Sequence, residues 1–222
     1  YDKKNEVNKF LSPVSGVVED VVYGDKRSLK KVIIKSDNKF SKDKLFDPLT
    51  SDQIKSLDVP DIFNLIQSGG LWHTFTSYPF NMPPLDDQLP PSIYVTLDND
   101  EPFTPQSNVV LQGSEDLFLK GLDVLRRISS NLNIGVAKKS KLNETKILQE
   151  ATHKIVGDYP ANNPGVFLFY NKKTQEENSS WGLNGQDVVR IGQLFDTGEY
   201  PNEKIISVAG SMVGAPAHYR VK

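Results

Sequence analysis

The chain has 222 residues and no cysteine. That excludes disulfides, thiolate nucleophiles, and zinc or iron–sulfur clusters held by thiolates. Positive charge is not in excess: 26 Lys and Arg stand against 28 Asp and Glu, a formal net charge of −2. With a pI of about 6.0 the chain lacks the basic footprint of a nucleic-acid binder, so no nucleic-acid partner is expected. No run of like charge is long enough for a membrane-surface patch. No apolar run approaches the roughly 20 residues of a membrane-spanning helix, and no signal peptide is visible. Histidine is scarce. His73, His153 and His218 are far apart, and none has a second ligand at metal-binding helical spacing. They read as loop or surface residues. A P-loop, a complete G-x-G-x-x-G after a strand, a metalloprotease motif and a nucleophile elbow are all missing. The first residue is Tyr1, so the chain reads as part of a longer protein.

What is present is the composition of a folded protein: 37% hydrophobic and 24% charged residues. The length suits one large domain, or one medium and one small. Tyr1 to Asn8 reads as a polar tail. Phe10–Val22 and Leu29–Lys35 read as short strands joined through a turn at Tyr23–Lys26. So few strands make no stable sheet alone, so they are expected to pair with further sequence or pack on the next domain. Ser12-Pro13-Val14-Ser15-Gly16-Val17-Val18 resembles the turn-and-strand signature of biotinyl/lipoyl-type barrel-sandwich folds. Such modules carry an attachment lysine in an upstream hairpin, near where Lys4 stands. The neighbours that mark such a lysine are missing, and a structural β-module is the reading taken.

A charged linker, 37–48, follows. Asp52–Leu57 predicts a short helix. Pro60 suits the first turn of a second helix, with Ile62, Phe63, Leu65 and Ile66 on its apolar face and Gly69-Gly70 at its end. An aromatic, proline-bounded loop then leads to the strand Ile93–Leu97, which runs into the acidic turn Asp98-Asn99-Asp100-Glu101. Asn108–Leu111 reads as a short extended segment. Ser114 caps a helix with Phe118, Leu122, Leu125 and Ile128 at helical spacing. Further on the pattern gives a strand at Asn133–Ala137, a short helix at Asn143–Glu150, and strands at His153–Val156 and Val166–Tyr170. A helix capped by Asn184 ends at Gly198, and Lys204–Ala209 reads as the last strand. Strands alternating with helices predict an α/β fold built on a Rossmann-like parallel sheet.

Ligands of open α/β sheets bind beyond the carboxyl ends of the strands. One crevice is therefore expected between the helix end at Gly69-Gly70, the aromatic loop and the acidic turn. Gly69 and Gly70 would let backbone approach a ligand, or simply stop the helix. Trp72, Phe75, Tyr78 and Phe80 would stack on a ring or a quinone, or cover the sheet edge. Asp98 and Glu101 would meet a sugar hydroxyl, or only solvent. Gly69, Gly70, Trp72, Asp98 and Glu101 are the candidate cofactor-cleft residues. No catalytic residue and no metal ligand is predicted.

The segments FLSPVSGVV, SGGLWHTFTSYPF, FLKGLDVL, QDVVRIGQLFDTGEY and ISVAGSMVGAPAHYR, in this order and spacing, resemble the NqrA family of the Na+-translocating NADH:quinone oxidoreductases. That family is related to the RnfC family of the Rnf complex and to the flavin-binding subunit of respiratory complex I. The resemblance implies the trailing half of a barrel-sandwich module at 1–45, a Rossmann-like domain at 48–214 and the start of a truncated β-grasp domain at 215–222. In the relatives the segment matching Ser68–Pro79 is a glycine-rich loop that cradles flavin phosphate. Here bulky side chains fill it after Gly70, while Asp98 and Glu101-Pro102 keep the acidic-x-x-Glu-Pro turn. The resemblance thus implies a degenerate flavin-like cleft and no cofactor bound by this chain. FAD, FMN, riboflavin and iron–sulfur are expected in other subunits. It implies a peripheral scaffold at the cytoplasmic face of the bacterial inner membrane, partnered by other subunits of the complex and placed near quinone. The rival reading is a flavin- or nucleotide-binding oxidoreductase domain.

Overall fold

The computed structural model describes residues 6–39, 41, 43–85, 88–142 and 146–222. Lys4 and the expected helix start at Asn143 lie outside them. The chain opens with an antiparallel hairpin of β1 (Gly16–Tyr23) and β2 (Leu29–Ser36). Its faces are largely open: Val17 is 72% exposed and Val18 55%.

Two helices follow, α1 (Ser51–Ser56) and α2 (Val59–Ser68). The Thr50 hydroxyl accepts from the Gln53 amide while the Gln53 side chain accepts from the Thr50 amide, a closed capping box. Pro60 sits in the first turn of α2, and Ile62, Phe63 and Ile66 turn one apolar face inward. The helix stops where Gly70 takes φ +67.

The central sheet is ordered β3-β7-β4-β5-β6. Its strands are β3 (Thr76–Ser77), β4 (Ile93–Thr96), β5 (Leu132–Ala137), β6 (His153–Ile155) and β7 (Trp181–Asn184). β7, β4, β5 and β6 run parallel, and β3 joins antiparallel at the edge. The α/β class expected from the alternation is what the chain adopts. β4 is flanked on both sides, and all four of its residues are buried. Around the sheet lie α3 (Ser107–Leu111), α4 (Glu115–Ile128), α5 (Lys146–Gln149), α6 (Pro164–Asn171) and α7 (Gly185–Thr197). Phe118, Leu122 and Leu125 of α4 pack into one core with Val188, Ile191 and Leu194 of α7.

The structure corrects four local expectations. Asn108–Leu111 lies within the helix α3, not in an extended segment. Val166–Tyr170 belongs to α6: Asn163 Oδ1 accepts from the Gly165 amide at 2.9 Å, and Pro164 pre-sets the first turn. The run Val-Phe-Leu-Phe-Tyr looks strand-like, yet only Phe167 and Leu168 of it are buried. Trp181–Asn184, not expected as a strand, is β7, with a parallel partner in β4. Finally, β8 (Lys204–Val208) leaves the sheet altogether and pairs antiparallel with β9 (Ala217–Val221).

Candidate functional site

The carboxyl ends of β4 and β7 open into two cavities of about 320 Å³ each. They divide the residues that the sequence grouped. The first is bounded by Thr96 of β4, Asn184 of β7, the Asn99–Glu101 turn and the start of α6 at Asn162–Pro164. Tyr78 closes its edge. The second lies on the other side of the strand ends and includes Asp98, Phe103, Ser107, Gln186 and Lys204.

Of the five candidate cleft residues, only Glu101 lines the first cavity, and Asp98 lines the second. The Asp98 carboxylate is engaged from three directions. Oδ1 accepts from Ser107 Oγ at 2.5 Å and Ser140 Oγ at 2.8 Å, and Oδ2 accepts from the Ala137 amide at 2.9 Å. Asp98 thus ties the end of β5 and the start of α3 to the end of β4. A carboxylate so occupied has little capacity left for a ligand.

The two glycines serve packing. A Cβ on Gly69 would run into the Leu194 side chain of α7, and one on Gly70 into Leu11 of the N-terminal segment. Trp72 is fully buried, and its Nε1 donates to the Pro84 carbonyl at 2.8 Å. It forms an aromatic cluster with Phe63, Phe75 and Trp181, at centroid separations of 4.9–5.7 Å to Trp72. Each such pair adds about 0.5–1.5 kcal/mol beyond its burial. Trp72 and Phe75 are therefore core, Tyr78 is cavity wall, and Phe80 at 82% exposure is free surface.

Tyr78 shows how the cavity wall is built. β7 carries Gly182 where any Cβ would meet the Tyr78 ring, and Gly165 of α6 leaves space on the ring's other edge. Burial pushes the Tyr78 phenol up to about 12, and the neighbouring Gly165 backbone opposes the shift only in part. It stays protonated at neutral pH.

Sequence reasoning missed the residues that dominate this cavity. Asn162 is buried, and its Nδ2 donates to Asp100 Oδ2 at 2.6 Å. The signal was an asparagine pair before a proline, Asn162-Asn163-Pro164, which marks a helix start. It was hidden because the following residues read as a strand.

The histidines stay apart. The His73 ring lies 5.6 Å from that of Phe10, and burial, then the nearby Arg190 charge, lower its pKa. His153 and His218 stand on β6 and β9, not in loops. Among the described residues no group of three or more His, Asp or Glu is placed to hold a metal.

Comparison with known proteins adds a family. Residues 57–200 match the model of the NqrA second alpha/beta domain, and residues 1–37 that of the NqrA N-terminal barrel-sandwich hybrid domain. The chain is 32% identical over 222 residues to the NqrA protein of the Na(+)-translocating NADH-quinone reductase of Histophilus somni (strain 2336), covering 100% of this chain and 49% of that protein. It is 30% identical over 221 residues to the corresponding protein of Marinomonas sp. (strain MWYL1), with the same coverage, and 29% identical over 221 residues to that of Vibrio atlanticus (strain LGP32). The chain spans about half the length of the curated relatives it matches.

Proposed function

The chain belongs to the NqrA family, and on that footing we propose that it is part of a peripheral subunit of a sodium-pumping NADH:quinone reductase. Such a complex oxidises NADH, reduces quinone and exports Na+. This part of the subunit works as scaffold and docking surface and does not carry the redox chemistry. The observation that carries the reading is the succession of two family domains along one chain, with the similarity running its full length.

The site's chemistry supports the division of labour. A flavin or nucleotide phosphate needs amide donors or cations around it. The first cavity offers Asp100 and Glu101 and, among the described residues, is lined by no Lys, Arg or His. As part of the proposal, FMN, FAD and iron–sulfur are assigned to the other subunits. Peripheral placement at the cytoplasmic face is part of the proposal. It is compatible with the absence, among the described residues, of a helix long and apolar enough to cross a membrane.

Docking has a candidate surface. After the buried half of the aromatic loop, Phe80, Met82, Leu85 and Leu89 are 82%, 61%, 57% and 60% exposed. A run of large apolar side chains left open is a common mark of an interface. Proximity to quinone is proposed for this same edge.

The test is purification of the complex from membranes through a tag on the full-length protein. Flavin-bearing subunits should co-elute, and NADH:quinone reduction should depend on Na+. Phe80→Ser with Met82→Ser should weaken assembly without lowering the tagged protein's own thermal midpoint. A tagged protein that purifies alone from cells holding the other subunits overturns the reading. An unchanged KM for quinone in the double variant removes the quinone part only.

A further inference from the structure

The first cavity contains a buried acceptor with nothing to accept from. Asn162 is 5% exposed, its Nδ2 donates to Asp100 Oδ2, and its Oδ1 has no partner among the described residues. The amide's orientation follows from chemistry. An ionised carboxylate only accepts, so the nitrogen faces Asp100 and the oxygen is left over. Native buried polar groups are almost always satisfied, so this oxygen calls for a donor, from an ordered water or from a bound compound.

The neighbours define what would satisfy it. Asp100 and Glu101 line the cavity and, among the described residues, no cationic side chain does, so a phosphate or carboxylate would meet two like charges, offset only by the capped N-termini of α6 and α7. A protonated amine would suit the carboxylates, but the wall also presents donors. Asn99 Oδ1 accepts from the Glu101 amide and Asn163 Oδ1 from the Gly165 amide, which turns both Nδ2 groups toward other acceptors. A hydroxyl both donates and accepts, and so answers both kinds of group. The Tyr78 and Tyr159 rings supply flat apolar wall, and about 320 Å³ falls within the range of small-molecule sites.

We propose that this cavity binds an uncharged, phosphate-free compound bearing adjacent hydroxyls on a sugar or ribityl chain, with Asn162 Oδ1 and the Asp100 carboxylate as acceptors. The site belongs to this chain and does not depend on its docking into a larger complex. Loss of assembly and loss of binding are therefore separate outcomes.

Calorimetric titration of the chain with matched pairs tests it: adenosine against AMP, riboflavin against FMN, and ribitol as the bare chain. A phosphate-free compound should bind at least about tenfold more tightly than its phosphorylated counterpart. Asn162→Ala should weaken that binding by about tenfold. Asp100→Asn and Glu101→Gln change exposed side chains and should leave the thermal midpoint near that of the parent. They should also narrow the gap between riboflavin and FMN by relieving repulsion of the phosphate. The proposal is overturned if AMP or FMN binds as well as its partner. It is equally overturned if none of the phosphate-free probes gives heat at millimolar concentration, or if Asp100→Asn leaves the gap unchanged.

Discussion

Tyr94, at the centre of the sheet on β4, donates its hydroxyl to Glu177 Oε2 at 2.8 Å, with both side chains buried. The two residues are 83 positions apart in sequence. The carboxylate also receives the Lys173 amide at 3.3 Å. The pair pins the segment ahead of β7 beneath the sheet. Tyr94→Phe removes one donor to a buried carboxylate and should cost about 1.5–3 kcal/mol, read from the midpoint of urea unfolding. A change below about 0.5 kcal/mol would mean the bond contributes no net stability.

Alkaline pH should destabilise the protein. Burial, and next the bond to Glu177, raise Tyr94 above the ordinary tyrosine range, while burial raises Tyr78 to about 12. Both phenols hold their proton more tightly folded than unfolded, where the pKa is about 10. Above that pH the unfolded chain has lost protons that the folded chain keeps, so stability falls as pH rises. The contribution is complete below about pH 10 and is lost as pH climbs through the folded values. Urea midpoints taken from about pH 8 upward should be level and then decline from about pH 10. The double variant Tyr78→Phe/Tyr94→Phe should decline less steeply, and an equal slope would refute the assignment.

Asp98 should behave as a structural residue. Asp98→Ala leaves the buried-side partners Ser107, Ser140 and the Ala137 amide without their acceptor. A loss of about 2–4 kcal/mol is expected, with faster amide exchange at Ala137 and at the start of α3. Binding in the first cavity should persist in whatever fraction stays folded, because Asp98 does not line it.

The contact between α4 and α7 should be intolerant of a single methyl. A Cβ at Gly192 would fall on the Leu117 carbonyl oxygen, and one at Gly121 on that of Val188. Gly→Ala within a helix normally gains up to about 1 kcal/mol. Here the overlap with backbone should reverse the sign, and Gly192→Ala should lose about 1–3 kcal/mol. Gly214→Ala, with open space around it, should stay within about 0.5 kcal/mol of the parent. Differential scanning calorimetry of the two variants checks both expectations.

Much of the fold was legible because it is written in short-range terms. The helices α1 and α7 announce themselves through caps, α2 and α4 through apolar spacing, and α2 and α7 through terminal glycines, while Ser114, expected to cap α4, makes no side-chain cap bond. Asn108–Leu111 and Val166–Tyr170 were misread because apolar β-branched and aromatic runs carry no period of their own. In α6 the cap at Asn163 decided the outcome, and it is easily mistaken for a turn. β7 escaped notice because Gly182 weakens its strand character, and the need for that glycine lies in Tyr78, about a hundred residues earlier in the chain.

The candidate site was legible only as a neighbourhood. From its sequence alone this protein has an α/β fold, no cysteine chemistry, no cationic footprint and a family resemblance carried by ordered motifs. The location of an acidic turn at the end of a buried strand also follows from the sequence. What the turn's members do was decided in three dimensions. The pleat and the loop after β4 send Asp98 to one side, where three donors take it up, and Glu101 to the other, beside Asp100 and Asn162, whose Oδ1 has no partner among the described residues. Residues three positions apart in a turn can face opposite ways. Only the packing of α3, β5 and α6 around them determines which carboxylate is consumed by the fold and which is left for a ligand.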